Sequence, residues 1–283
     1  MHSVAFIIPG PSKWASTRLR AEWPARYIPG AVVVPKGTPI PPAENYVWIK
    51  GADVDFIKAH PDAKHFWDVC DPAWWFSPAE CREIAPLMEA VVASCPALAA
   101  DYTAWASCAC YTIHDRLELE HYPVQRTHEH YADPVRFIWY GASQNRVGLF
   151  GGIANLQRLA ANGVPLELTI FDDAPQNIWS DNQIPIYHTE WTLAQENAVI
   201  AAHDIAILPP YPGPWGKVKS NNRQLTAWAC GLPATDGQDY EALYRLATER
   251  TFRQDAATLG YRALCADYDV QDSAIEWRRL LNV

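Results

Sequence analysis

The sequence has no uninterrupted apolar run of the length that a membrane-spanning helix needs. Its first apolar run, residues 4–8 (VAFII), is too short for the core of a signal peptide, and no small-residue cleavage site follows it. These two absences argue against a membrane span and a secretory signal. We therefore expect a cytoplasmic protein.

Positive charge is scarce. The chain has 23 Lys and Arg against 32 Asp and Glu, a formal net charge of −9 and a pI of about 5.4. Proteins that bind nucleic acid non-specifically usually present a basic face, so the composition gives no general support for that class. The composition does not exclude a local basic strip, because one polar segment is surrounded by Arg116, Arg126, Arg136 and Arg146.

Two kinds of motif are also missing. None of the seven cysteines forms a C-x-x-C pair, and Cys108 and Cys110 are too close together for half of a structural zinc site. We expect reduced thiols and no metal site. A G-x-G-x-x-G pattern is absent, which disfavours a nicotinamide or flavin dinucleotide.

Short apolar runs alternate with helical patterns, and this alternation predicts parallel β-sheet. In the first half the predicted strands are Val4–Ile8, Ala31–Val34, Tyr46–Ile49 and His65–Val69, and the predicted helices are Ser16–Tyr27, Pro78–Ala93 and Cys95–Ala104. In the second half they are Val135–Tyr140, Leu166–Phe171, Ile184–His188 and Asp204–Leu208, with helices Gly148–Asn162, Thr192–Ala202, Ser220–Cys230, Asp239–Glu249 and Asp269–Leu281.

Because both halves repeat the same alternation, we predict an α/β protein with two Rossmann-like domains, residues 1–133 and 134–283. The closing helix is a candidate to pack back on the first domain. Between the domains lies a histidine-rich stretch, Glu118–Asp133, without sustained periodicity. We interpret it as a solvated connector, with a substrate-contacting loop as the alternative. The His128-x-His130 spacing is not diagnostic of a metal site.

The segment with the strongest chemical signal is residues 209–233 (PPYPGPWGKVKSNNRQLTAWACGLP). It leaves a strand through a Pro- and Gly-rich loop and enters a helix, the position where open α/β sheets bind ligands. Free N–H groups at a helix start suit a phosphate. Cationic and neutral donors cluster there, and they favour a diphosphate ligand: Lys217, Lys219, Ser220, Asn221, Asn222 and Arg223. A capped surface helix with solvated side chains is the alternative.

Two further strand ends of the second half carry polar residues. Gly141 ends the strand VRFIWY and permits the close approach of a ligand, and Ser143, Gln144 and Asn145 follow it. Asp172 and Asp173 end the next strand, where they either contact hydroxyl groups of a ligand or form a turn.

The first half offers candidates for a cleft and for a base. Gly10 lies in the loop after the first strand, and the following helix begins near Ser16 and carries Arg18 and Arg20. The two arginines are two residues apart, so one can face the cleft and the other solvent, or both are solvated. Asp68 and Asp71 flank the end of the fourth strand, where a carboxylate can act as general base or cap a turn.

These stretches resemble the GT-B glycosyltransferases, the group that contains bacterial glycogen- and polysaccharide-synthesising enzymes. The resemblance is most specific over residues 135–283 and touches most of the chain. It rests on FIWYGASQN, LELTIFDD, EW…ENAVIAAHDIAILP, KVKSNNRQLTAWACGLPA and ALCADYDVQDSAIEWRRLL, and in the first half on ASTRLRAEWPARYI and FWDVCDPAWW.

The resemblance implies an interdomain cleft and a nucleotide-diphosphate sugar as co-substrate, without an obligatory metal or further cofactor. It puts Lys219, Ser220, Asn221 and Arg223 at the diphosphate, Gly141–Asn145 near the phosphates or the acceptor, and Arg18 near the cleft. Many members carry two glutamates eight residues apart, but Val218 and Thr226 stand at those positions here. The ribose contact and the retaining mechanism associated with that pair are therefore in doubt.

We thus expect a hexosyl- or pentosyltransferase, monomeric or dimeric, that acts on an acceptor hydroxyl. The acceptor is a saccharide or glycan, or else a hydroxymethylated pyrimidine in DNA, as some viral enzymes of this fold glycosylate such bases; a viral enzyme would work in the host cytoplasm. The aromatic content suits a flipped base, whereas the acidic net charge argues against DNA. The alternatives are a non-catalytic nucleotide-sugar-binding protein and a sugar-nucleotide epimerase of similar fold.

Overall fold

The computed structural model describes residues 2–129, 133–176 and 178–283. Its contacts divide the chain into two compact units. The first unit consists of Met1–Glu118, Pro214–Ser220 and Tyr268–Val283, and the second of Leu119–Gly213 and Asn221–Asp267. This division falls at Glu118, and it assigns two later segments to the first unit. The domain boundary at residues 133 and 134 stays a prediction.

The first unit contains a parallel six-stranded sheet in the order β2-β1-β3-β4-β5-β6. Its strands are β1 (His2–Ile8), β2 (Ala31–Pro35), β3 (Ala43–Ile49), β4 (Lys64–Val69), β5 (Ala90–Ala93) and β6 (Ala109–Thr112). The second unit contains a parallel five-stranded sheet in the order β11-β10-β7-β8-β9. Its strands are β7 (Val135–Gly141), β8 (Leu166–Asp172), β9 (Ile186–Glu190), β10 (Ile205–Ile207) and β11 (Ala234–Thr235). An α/β protein with two parallel sheets is confirmed.

Helices connect the strands of both sheets. They are α1 (Ala15–Thr17), α2 (Trp23–Ala25), α3 (Val54–Ala59), α4 (Ala73–Phe76), α5 (Pro78–Ile84), α6 (Pro96–Thr103), α7 (Phe150–Ala161), α8 (Glu196–Ala201), α9 (Pro214–Lys217), α10 (Asn222–Ala229), α11 (Tyr240–Thr248), α12 (Arg250–Asp267) and α13 (Val270–Leu281). A π-helical turn, Arg18–Glu22, joins α1 to α2, and 3₁₀ turns occupy Ala85–Leu87, Leu119–His121 and Ser143–Leu149. In the described part of the chain, no helix is long and apolar enough to cross a membrane.

Both faces of the first sheet are covered, as its apolar strands require. Alternate residues of β1 show this directly: Ala5 and Ile7 belong to one buried cluster, and Val4, Phe6 and Ile8 to the other. The second cluster includes Trp277 of α13, whose ring meets that of Phe6 edge-on with centroids 5.6 Å apart. The closing helix therefore packs within the first unit.

The predicted helix over Pro78–Ala93 is wrong in its second half. Helix α5 ends at Ile84, and residues 90–93 form β5, which pairs with β4 and β6. All four residues of β5 are buried, so the run shows no strand alternation and resembles one turn of a buried helix. The pattern also missed α12, whose polar and apolar residues lack a clear helical face.

The interpretation of Glu118–Asp133 as a solvated connector is wrong at its buried positions, although residues 123–125 are exposed. Tyr122 and His128 are buried. The Arg126 N–H donates to the Cys230 carbonyl at 2.7 Å, and His128 Nε2 donates to the Gly231 carbonyl at 3.0 Å. Gly231, at φ +77°, is needed there because a Cβ would lie 2.7 Å from the Arg126 carbonyl oxygen. The segment packs on the second unit because its backbone groups find partners there. His130 lies outside the described residues.

Candidate functional site

Each sheet has a point where the strand order reverses, and open α/β sheets bind ligands at the carboxyl ends of the strands beside that point. In the second unit, β7 lies between β8 and β10, so the reversal falls between β7 and β10. Gly141 ends β7, and Leu208 and Pro209 follow β10. In the first unit the reversal falls between β1 and β3, where Gly10 and Lys50 follow the strands.

Arg223, in the first turn of α10, reaches the reversal point of the second unit. Its Nη2 donates to the Pro209 carbonyl at 3.3 Å. A Cβ built on Gly141 would lie 3.5 Å from Arg223 Cδ and 3.7 Å from Nη1, so the end of β7 passes close to this side chain. The Tyr140 hydroxyl donates to the Arg223 carbonyl at 2.5 Å and ties the start of α10 to β7. One side chain thus lies beside both strand ends.

The Arg223 guanidinium has no counter-charge among the described residues. Its Nη1 is buried and has no hydrogen-bond partner among them. Burial lowers the pKa of Arg223, and no carboxylate of the described residues forms an ion pair with it. A buried cation normally requires a paired anion. The geometry therefore favours an anionic ligand at this position.

The carboxylates at the end of β8 have other partners. Asp172 is fully buried and pairs with Arg146, whose Nη2 donates to Oδ1 at 2.6 Å. Asp173 is exposed and accepts the Ser143 N–H at 2.7 Å. Burial raises the pKa of Asp173, but the hydrogen bonds from Ser143 outweigh it, so this pKa lies below its usual value. Asp172 thus fixes the fold, and only Asp173 is accessible to a ligand.

At the carboxyl edge of the first sheet, two lysines converge on one carboxylate. Lys50 Nζ lies 2.9 Å from Asp71 Oδ2, and Lys219 Nζ forms an ion pair with Asp71 Oδ1. Burial raises the pKa of Asp71, but the Lys219 and Lys50 ammonium groups outweigh it and hold this pKa below its usual value. Lys219 lies in the segment Pro214–Ser220, which packs within the first unit.

A buried cluster of charged groups lies at the same sheet edge. Arg20 Nη2 contacts Asp68 Oδ2 at 2.8 Å, and Nη1 contacts Asp115 Oδ1 at 3.2 Å. Ser220 donates to Asp115 Oδ2. Arg20 and Asp68 are 1% and 0% exposed, which leaves no surface for a substrate. Burial raises the pKa of Asp68, against the opposing charge of Arg20.

The expectation that Arg18 or Arg20 faces solvent is wrong, since both are buried. Arg20 fills the interior with its two carboxylate partners. Arg18 Nη1 donates to the carbonyl groups of Ser12 and Lys13 at 3.0 and 2.8 Å, and its guanidinium lies over the Trp23 ring. Arginine at these two positions therefore stabilises the turn after β1 and the sheet edge.

The remaining candidates are spread over both units. Gly10 accepts the Thr17 hydroxyl at its carbonyl, and a Cβ there would lie 2.6 Å from the Trp14 ring. Val218 is buried in the core of the first unit, and the Thr226 hydroxyl donates to the Asn222 carbonyl. Lys217 and Gln144 are exposed, whereas Ser16, Asn145, Asn221 and Asn222 are half-buried. The sequence KVKSNNR is thus divided: Lys217, Lys219 and Ser220 belong to the first unit, and Asn221, Asn222 and Arg223 to the second.

Sequence reasoning missed Lys50 and Asp115. Lys50 directly follows a strand that the pattern predicted, so its position beside Asp71 had a signal. Asp115 follows β6, a short edge strand that the pattern did not predict, so nothing in the sequence pointed to it. The sequence pattern places Tyr140 in a strand and does not predict its hydrogen bond to the Arg223 carbonyl.

Comparison with known proteins defines the fold. HepE from Anabaena, solved in complex with UDP and glucose, superposes with a TM-score of 0.71 at 9% identity, over 100% of both chains. An alpha-glucosyltransferase solved in complex with UDP-glucose and DNA containing an abasic site superposes with a TM-score of 0.70 at 8% identity, over 99% of both chains. These structures are GT-B glycosyltransferases. The chain has the GT-B fold.

The superposition is not equally complete for all GT-B structures. TarM superposes with a TM-score of 0.61 at 10% identity over 84% of this chain, and the chain spans only 55% of TarM. No protein-family model matches the sequence. No curated protein matches it either. The comparisons therefore establish the GT-B fold but not the reaction.

Proposed function

We propose that the protein transfers a sugar from a nucleotide-diphosphate sugar to an acceptor hydroxyl. The observation that carries the proposal is the uncompensated Arg223 guanidinium beside Gly141 and Pro209. A diphosphate would supply the missing negative charge and accept hydrogen bonds from Nη1. The GT-B fold supports the same class, since HepE and the alpha-glucosyltransferase were solved with UDP and UDP-glucose.

In this proposal Arg223 acts on the leaving group. As the bond between the sugar and the diphosphate breaks, negative charge grows on the diphosphate oxygen, and a fixed guanidinium in a partly buried site stabilises it. The N–H groups at the start of α10 add to this effect. We propose that these groups replace a metal ion, so that the donor is the only small molecule required besides the acceptor.

If the reaction inverts the anomeric centre, a general base must take the proton of the acceptor hydroxyl. We assign this role to Asp71 rather than Asp68. Asp71 is 26% exposed, whereas Asp68 is fully buried and held by Arg20. A base must touch the hydroxyl that it deprotonates, and only Asp71 has surface for that contact.

The acceptor class is a saccharide or glycan, or a hydroxymethylated pyrimidine in DNA. Support for the second comes from the alpha-glucosyltransferase solved with DNA. The net charge of −9 favours the first, because DNA-binding surfaces are usually basic. We place the reaction in the cytoplasm, and the seven free cysteines support this compartment because disulfides are rare there.

The test is a binding and turnover experiment on the full chain. We expect UDP to raise the melting temperature and Arg223→Met to weaken UDP binding about 10- to 100-fold, the usual range for a charge-assisted contact. Arg158→Met is the matched control, because Arg158 is an exposed arginine of the same unit that stacks on Tyr240. Equal UDP affinity in both variants would contradict the assignment of Arg223.

Turnover separates the proposal from its alternatives. Mass analysis of products with a panel of nucleotide sugars, on glycans and on DNA containing hydroxymethylated pyrimidines, should show a mass gain of one sugar on one acceptor class. Binding without transfer on any acceptor indicates a non-catalytic binding protein. Conversion of the free nucleotide sugar without an acceptor indicates an epimerase.

A further inference from the structure

In the first unit, a partly exposed carboxylate lies between two lysine ammonium groups. Asp71 is bound by the ammonium groups of both Lys50 and Lys219. All three side chains are partly exposed, at 26% for Asp71, 38% for Lys50 and 36% for Lys219. A ligand from solution can therefore reach both ammonium groups and compete with the carboxylate for them.

The two lysines differ in their freedom to leave Asp71. Lys50 has φ +69°, which is unusual for a residue with a side chain, and its backbone is fixed on both sides. Its N–H donates to the Asp68 carbonyl at 2.8 Å, and its carbonyl accepts Trp67 Nε1 at 2.7 Å. The Lys219 Nζ, by contrast, lies 4.8 Å from the centre of the Trp215 ring. The ring offers the ammonium group a second favourable contact once it leaves the carboxylate.

The charges of one cluster at this edge balance without a ligand. Three cations, Arg20, Lys50 and Lys219, are held by three carboxylates, Asp68, Asp71 and Asp115. An incoming phosphate gives the edge an excess of negative charge. A proton is the simplest compensation, and Asp71 is the exposed carboxylate of the three.

We propose that Asp71 is an internal substitute for a ligand phosphate on Lys219 and Lys50, and that phosphate binding displaces Asp71 from Lys219 and makes it a stronger base. This inference rests on the proposed function. It states that Asp71 becomes able to take the proton of the acceptor hydroxyl once phosphate has bound. The shared ligand chemistry is a phosphate oxyanion, carried by the nucleotide donor or by a phosphorylated acceptor.

The surroundings of Asp71 are consistent with this change. Burial acts to raise the pKa of Asp71, and the two ammonium groups hold it down, so the loss of Lys219 lets it rise. Burial keeps two other titratable neighbours, Cys70 and Tyr102, in their neutral form. The Cys70 thiol, 3.9 Å from Asp71 Oδ2, has a pKa raised to about 12 by burial. The Tyr102 hydroxyl donates to the Asp71 carbonyl, and burial raises its pKa as well. Asp68 and Asp115 act to raise the pKa of Cys70 through their negative charge and are themselves held by Arg20.

The experiment measures binding of pyrophosphate and of UDP to the full chain by titration calorimetry. We expect Asp71→Asn to bind pyrophosphate about tenfold more tightly, because the competing anion is gone, and Lys219→Gln to bind it about tenfold more weakly. Glu83→Gln is the matched control. It removes one negative charge from an exposed ion pair of the same unit, Lys58–Glu83, and should leave the affinity unchanged.

A second measurement does not depend on the folding of any variant. At about pH 5, near the ordinary carboxyl range, wild-type protein should take up protons when pyrophosphate binds, as measured in buffers of different ionisation enthalpy. Uptake should fall in Asp71→Asn and persist in Glu83→Gln. The inference is overturned if folded Asp71→Asn binds pyrophosphate no more tightly than wild type, or if wild type takes up no more protons than the ligand itself accounts for.

The two sources of the phosphate give different patterns. Tighter binding of UDP by Asp71→Asn identifies the nucleotide donor as the source. Tighter binding of pyrophosphate alone, with UDP unchanged, identifies a phosphorylated acceptor. The inference and the proposed function also fail separately, since the binding effects can be present when no nucleotide sugar is turned over, and turnover can be present when Asp71→Asn has no effect on binding.

Discussion

The two units have the same parallel arrangement, but the candidate cations at their carboxyl edges differ in whether they have a counter-charge. In the first unit three of them have carboxylate partners: Arg20 holds Asp68 and Asp115, and Lys50 and Lys219 hold Asp71. In the second unit Arg223 has no such partner among the described residues. The fold alone therefore does not determine whether a carboxyl edge can bind an anionic ligand. The pairing of its charged side chains determines it.

The largest effect is expected for Arg20→Met. Removing this guanidinium leaves two buried carboxylates without their cation, and breaking such a network lowers the free energy of unfolding by about 3–5 kcal/mol. Chemical denaturation measures it. Arg26→Met is the control, since Arg26 is 59% exposed and pairs with Glu118, and it should lose less than about 1 kcal/mol. Similar losses in both variants would contradict the structural role of Arg20.

Gly141→Ala should have the next largest effect. Gly141 has φ +151°, where other residues are strained, and a Cβ would cover one side of the Arg223 guanidinium. We expect a loss of stability of about 1–2 kcal/mol and weaker UDP binding. Gly163→Ala separates the two causes, because Gly163 has φ +81° and nothing lies within 4 Å of its Cβ position. It should lose stability and keep its UDP affinity.

Arg223→Met should change stability little in the absence of ligand, by less than about 1 kcal/mol or in the stabilising direction. The reason is that the substitution removes a half-buried charge that has no ion-pair partner. Thermal unfolding without nucleotide measures this. A loss of unfolding free energy comparable to that of Arg20→Met would show that Arg223 stabilises the fold. The contrast between the two edges would then be wrong.

The smallest effect is a pH dependence. The pKa of Asp71 is lowered in the folded protein, so its ion pairs contribute stability above the pKa of the unfolded chain, about 3.9. That contribution is lost as the pH falls through the lower, folded pKa. The difference in unfolding free energy between wild type and Asp71→Asn should thus be constant above about pH 5 and vanish in acid, as urea titrations at several pH values can show. A difference that persists in acid would mean that Asp71 acts through packing.

The sequence predicted the fold better than the site. Strands such as Val4–Ile8 and Leu166–Phe171 are apolar runs closed by Gly, Pro or Asp, and the structure contains both. The failures were local. Ala90–Ala93 is buried on both faces and so lacks alternation, and the polar stretch around His128 is buried because its partner, the Gly231 carbonyl, is 103 residues away.

The candidate residues show the same limit. Hydrophobic periodicity places Arg18, Arg20 and Lys219 near strand ends, but it does not predict which group each side chain contacts. Arg20 meets Asp68 and Asp115, which are 48 and 95 residues away. Lys219 meets Asp71, 148 residues away. No local pattern carries information about pairs at such separations.

The residues alone therefore determined that the chain forms two α/β halves, with positive charge concentrated in KVKSNNR at a strand–loop–helix junction. Only the tertiary structure decided which of those charges are already neutralised. It folds Lys219 and Ser220 onto carboxylates of the first unit, and in the second unit it gives Arg223 no ion-pair partner within the described part of the chain. The physical reason is that local sequence sets hydrophobic periodicity, whereas the free energy of a charge depends on which distant groups surround it after folding.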